Sequence, residues 1–86
     1  MNKEVILEYM SNIKKEDIIS YSKKQNITLL NNELDIIYDY IKNKGEYVLD
    51  NPLKLIEEIK DKISNNLYKA LIDLYDKYKF IINKIR

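Results

Sequence analysis

The chain has 86 residues with no His, Cys or Trp and a single Gly, and its 15 basic and 14 acidic side chains leave a net charge of +1. This composition excludes imidazole bases, zinc sites with His or Cys ligands, and glycine-rich phosphate loops, and it supplies no long-range attraction to nucleic acid or anionic membranes. Apolar runs are far too short to cross a bilayer, and no secretory signal precedes the first helical pattern. We therefore expect one cytoplasmic domain, residues 1–86, that does not enter a membrane.

Two short helices are predicted first. From Lys3 to about Asn12, apolar residues recur at intervals of three and four along one helix face. That face consists of Val5, Ile6, Tyr9, Met10 and Ile13. A second helix is predicted over about residues 15–25, because acidic residues open it and lysines close it, as the helix dipole favours. We expect Asn26 to end it in a left-handed conformation.

A third helix is predicted to follow, with Thr28 or Asn31 as its cap and Gly45 at its end. Its apolar stripe consists of Leu30, Leu34, Ile37 and Ile41. Residues 46–49 are expected to be extended. Pro52 then predicts the start of a fourth helix, because proline suits the first helical position. The buried face of that helix is expected to contain Leu55, Ile56, Ile59 and Ile63, with Glu58 and Lys62 paired on the other side.

Ser64 predicts a break before a longer final helix. Its stripe follows an almost heptad spacing and consists of Leu67, Leu71, Leu74, Tyr78, Ile81 and Ile85. A helix of about 20 residues is about 30 Å long and would extend past its neighbours. The stripe is then either internal core or a partner or dimer interface. We expect the interface, if formed, to use Leu74, Tyr78, Ile81, Ile82 and Ile85.

These elements predict an all-α fold, a compact bundle of four or five short helices with a longer C-terminal helix. The carboxylate pairs Asp35–Asp39 and Glu57–Asp61 each lie one turn apart, but solvated charges on an outer helix face are their ordinary interpretation. The eight tyrosines are expected at the edge of the core. We expect no catalytic, metal or cofactor-binding residues, and no enzyme activity.

Nucleic-acid binding is the alternative function, since the second and third helices are joined by a short turn as in a helix-turn-helix. The candidate contacts form local lysine clusters and are Lys14, Lys15, Lys23 and Lys24. The alternative cluster consists of the C-terminal basic residues Lys77, Lys79, Lys84 and Arg86. Acidic residues Glu33, Asp35 and Asp39 on the third helix would face phosphates with the wrong sign.

The segments from Lys15 to Thr28 and from Lys42 to Gly45, followed by residues 49–52 and 56–59, resemble the YqfT-like proteins, a family of small uncharacterised proteins of low-GC Gram-positive bacteria. The resemblance covers about residues 4–78. It implies a small all-helical cytosolic protein and carries no site residues. From the apolar stripe we expect a protein-interaction or regulatory module that forms a homodimer.

Overall fold

The computed structural model describes residues 2–85, and the all-α prediction is confirmed. The helices are α1 (Lys3–Ser11), α2 (Lys15–Lys24), α3 (Asn31–Asn43), α4 (Gly45–Asp50), α5 (Pro52–Ile59) and α6 (Asn65–Ile85), with a 3-10 turn at Lys60–Lys62. The molecule measures 31 × 24 × 23 Å, so α6, at about 1.5 Å per residue, is as long as the whole fold. None of the helices within residues 2–85 combines the length and hydropathy that a membrane span requires.

Helix α3 occupies the centre of the bundle. It packs against α1, α2 and α4, while α5 packs against α4 and α6. The buried apolar core comes from five of the other helices and consists of Met10, Ile18, Leu49, Leu55, Ile56, Ile59 and Leu67. On α1 only part of the predicted face is internal, because Val5 and Tyr9 are exposed.

The connection between α2 and α3 matches the prediction from Asn26. Asn26 has a φ of 58°, the Ile27 amide donates to the Ser22 carbonyl at 2.8 Å, and the Asn26 amide donates to the Lys23 carbonyl at 3.1 Å. This is the hydrogen-bond pattern that closes a helix around a left-handed residue. Asparagine tolerates that conformation better than other residues with a Cβ.

The prediction of an extended segment at residues 46–49 is wrong. Gly45 does not adopt positive φ; it is the first residue of α4, and a Cβ there would lie 3.3 Å from the Met10 Sδ. Glycine thus permits close approach of α1 and α4. Burial of Leu49 and a 2.9 Å ion pair between Lys3 and Asp50 hold this short helix, so tertiary contacts outweigh the local preference of Tyr and Val for extended backbone.

Pro52 opens α5, and Ser64 separates α5 from α6, as predicted. The predicted pair of Glu58 and Lys62 does not form, because α5 ends at Ile59 and Lys62 lies in the 3-10 turn. Ser64 caps α6, since its Oγ accepts a hydrogen bond from the Leu67 amide at 3.2 Å.

The start of α3 differs from the prediction in a way that organises the fold. Its cap is Leu30 rather than Thr28 or Asn31, and Glu33 is fully buried, with 0% of its surface exposed. The Glu33 Oε1 accepts from the Leu30 amide at 2.9 Å, and the Oε2 accepts from the Ser64 amide at 2.6 Å. One carboxylate therefore satisfies backbone donors at the start of both α3 and α6, which otherwise lack partners inside the helices.

Two opposing effects act on the pKa of Glu33. Burial raises it, and the hydrogen bonds from Ser64 and Leu30 lower it, with a net pKa below the usual value of glutamate. Because the folded-state pKa is depressed, the stabilisation is complete above the unfolded-state pKa and is lost as the pH falls through the folded value.

We expect Glu33→Ala to lower the free energy of unfolding by at least about 2 kcal/mol at pH 7, because it leaves two buried amide donors without an acceptor. Glu33→Gln keeps the side-chain shape but loses the charge, so it is expected to fall between wild type and Glu33→Ala. Urea unfolding monitored by circular dichroism measures both.

The control is Glu16→Gln, which removes an exposed carboxylate from the first turn of α2 and should change stability by less than about 0.5 kcal/mol. Between pH 5 and pH 3, wild type should lose more stability than Glu33→Gln. If both proteins lose the same stability over this pH range, protonation of Glu33 is not what destabilises the fold in acid.

Candidate functional site

The predicted interface residues all lie on one face of α6, but they are only partly covered. Leu74, Tyr78, Ile82 and Ile85 are half-buried, and Ile81 is 56% exposed. At the other end of the same face, Leu67 is 2% exposed and is the buried residue of this 21-residue helix. The stripe is therefore most covered at Leu67 and most exposed at Ile81.

Two apolar grooves explain this partial coverage. One, of about 240 Å³, lies between α6 and helices α3, α4 and α5; the other, of about 360 Å³, lies between α6 and helices α1, α2 and α3. The residues that line both grooves are Ile37, Ile41, Leu71 and Leu74. Helix α6 packs against α5, and these four residues of α3 and α6 separate the two grooves. No charged side chain lines the first groove.

Tyrosines form the rim of the first groove, as expected for residues at the edge of the core. Tyr40 lines the groove, and its hydroxyl donates to the Glu58 Oε2 at 3.4 Å. The neighbouring Tyr47 hydroxyl donates to the Glu58 Oε1 at 2.6 Å. That hydrogen bond, with smaller effects of burial and charge, raises the pKa of Tyr47 to about 12. Glu58 therefore fixes two tyrosines from α3 and α4 beside α5.

A second tyrosine contact joins α2 to the C-terminal half of α6. Burial raises the pKa of Tyr21, and a hydrogen bond with the Tyr78 side chain raises it further. Tyr21 lines the second groove and Tyr78 lines the first.

The four lysines of the nucleic-acid hypothesis do not form one cluster. Lys14 and Lys15 lie at the start of α2, and Lys23 and Lys24 at its end, about 13 Å further along the helix axis. All four are exposed. Lys15 Nζ is 2.6 Å from the Asp35 Oδ1, and this hydrogen bond and charge raise the pKa of Lys15. In the helix-turn-helix interpretation, Lys15 would contact a phosphate. Its ammonium group is instead paired with Asp35.

Three of the four carboxylates in the predicted pairs have partners within the chain. Asp35 pairs with Lys15, Asp39 accepts from the Asn43 amide group at 2.8 Å, and Glu57 accepts from the Tyr68 hydroxyl at 2.7 Å. Within residues 2–85, no group of three or more acidic side chains has the arrangement of a metal site.

Phe80 is an exposed residue that the sequence analysis did not select, with 72% of its surface accessible. It lies off the stripe, roughly 100° around the helix from Ile81. The only signal available in the sequence was a large aromatic side chain at a position that the helical period places outside the core.

Comparison with known proteins identified no relative. No protein-family model matches the chain, no curated protein matches it, and no solved structure matches it. The resemblance to the YqfT-like proteins therefore stays a prediction.

We expect Glu58→Gln to lower the pKa of Tyr47 towards the ordinary value of about 10, because a neutral amide no longer opposes deprotonation of the hydroxyl. Ultraviolet titration of tyrosinate absorbance measures the change, and Tyr47→Phe identifies the contribution of this residue. Circular dichroism at each pH confirms that the fold persists. An unchanged titration curve in Glu58→Gln would contradict the contact between Tyr47 and Glu58.

Proposed function

We propose that this chain is a small protein-interaction module that self-associates through the C-terminal half of α6. The observation that carries the proposal is the exposure of Ile81 on the same helix face as the buried Leu67. Folding of one chain leaves Ile81 exposed and its stripe neighbours only half-buried. A second copy presents the same stripe and can cover it.

The size of the chain supports this proposal. A domain of this length buries a smaller share of its surface than larger domains do, so association adds apolar burial that a single core cannot supply. The half-buried residues Leu74, Tyr78, Ile82 and Ile85 adjoin Ile81 and extend the surface that a partner would cover. Tyr78, at the centre of this group, suits an interface because its ring is apolar and its hydroxyl can keep a polar partner.

The double variant Ile81→Lys with Ile85→Lys is expected to be a folded monomer. Both side chains lie on the last turns of α6, outside the core, so the charges oppose association more than folding. We expect the dimer dissociation constant to rise at least about a hundredfold, given the apolar area that each isoleucine would otherwise bury. Sedimentation equilibrium measures association, and circular dichroism measures folding.

The matched control is Val5→Lys with Tyr9→Lys, which places two lysines one turn apart on the exposed face of α1. This variant should associate like wild type. If the α6 variant unfolds, its stripe is internal core. If the α1 variant dissociates instead, association uses the other exposed apolar surface. Either result contradicts the proposed function.

A further inference from the structure

A charged strip runs along α6 between its two exposed apolar residues, and its first part borders a groove beside Gln25 and Ile27 of the α2–α3 connection. Phe80 and Ile81 are consecutive, so they lie about 100° apart around the helix. Between them, within about 40° of one another, lie Asp73, Lys77 and Lys84, all exposed. The strip therefore borders the apolar surface of the proposed interface.

The charges of this strip have no ion-pair partner within the part of the chain that the structure describes. Among residues 2–85, Asp73, Lys77 and Lys84 form no ion pair, although Asp73 and Lys77 are one helical turn apart. By contrast, Asp76 and Lys79, which lie outside the strip, are 3.8 Å apart. The Lys77 ammonium lies 5.4 Å from the centre of the Tyr78 ring. The unpaired charges are available to a partner.

The order of these charges distinguishes the two ways in which the strip can meet its own copy. In a parallel pair, each residue faces the same residue of the second chain, so Asp73 meets Asp73 and Lys84 meets Lys84. In an antiparallel pair, the acidic end of one strip meets the basic end of the other. Like charges in contact oppose association, and flanking charges set helix orientation in coiled coils.

We propose that two copies pair antiparallel along α6, with Asp73 of each chain beside Lys84 of the other; this inference rests on the proposed function. Asp73 and Lys84 are separated by about three turns, or about 16 Å. Two reciprocal ion pairs therefore bracket a contact centred between Tyr78 and Lys79.

The same register accommodates the remaining residues of the strip. Lys77 of each chain comes level with Phe80 of the second copy, whose ring face attracts a cation. Ile81 packs beside the aliphatic stem of Lys77, so both exposed apolar residues are covered. The arrangement uses the charged strip together with Phe80 and Ile81, which lie on either side of it.

Charge reversal tests this orientation. Asp73→Lys alone and Lys84→Asp alone each place like charges opposite one another at both sites, and we expect each to raise the dimer dissociation constant about tenfold at low salt. The double variant restores opposite charges and should return to within about threefold of wild type. Sedimentation equilibrium at two salt concentrations measures all three, and circular dichroism confirms folding.

The control is Asp61→Lys, which makes the same change of charge in the exposed 3-10 turn before α6 and should leave association unchanged. Suppose that wild type dimerises but the double variant loses as much binding free energy as the two single variants together. The antiparallel pairing is then wrong, while self-association stands. If wild type remains a monomer at every concentration, the proposed function fails. Restored association in the double variant supports the inference.

Discussion

The buried carboxylate of Glu33 joins two parts of the chain that local sequence does not connect. It accepts from the Leu30 amide three positions before it and from the Ser64 amide 31 positions after it. A buried carboxylate normally carries a large desolvation cost, and two backbone donors offset that cost here. The same contact supplies the negative charge that helix N-termini favour, so it positions the starts of α3 and α6 beside each other. Leu67, three residues after Ser64, is buried in the core and also holds the start of α6 in place.

The hydrogen bonds of Glu33 and Ser64 at the start of α6 explain why this helix is buried at Leu67 and more exposed at Ile81. Its first turns are fixed by Glu33, Ser64 and Leu67, whereas Leu71 and Leu74 on its middle turns line two grooves. Apolar side chains consequently continue along the helix into turns where the other helices cover them only in part. This geometry is the support for the proposed self-association: the core buries the first part of the stripe, and Ile81 stays exposed.

Periodicity and capping residues were sufficient to predict most of the helices. Pro52 and Ser64 mark real boundaries because their effects are local, and Asn26 adopts the left-handed conformation for the same reason. Helix α4 could not be predicted, since Gly45 serves close packing with α1 rather than helix termination. Nor could the burial of Glu33, because its second donor lies far away in the sequence. The stripe on α6 was visible in the sequence, but its loss of coverage depends on where the shorter helices end.

The most direct measurement of the Glu33 contact is an NMR pH titration that follows the Glu33 side-chain carboxyl carbon and the Ser64 amide proton together. The account predicts that the carboxyl carbon titrates with a pKa below the usual value of glutamate, and that the Ser64 amide shifts with the same midpoint, because one proton breaks the hydrogen bond that links them. A pKa of Glu33 at or above the usual value, together with a Ser64 amide that does not respond, would contradict it.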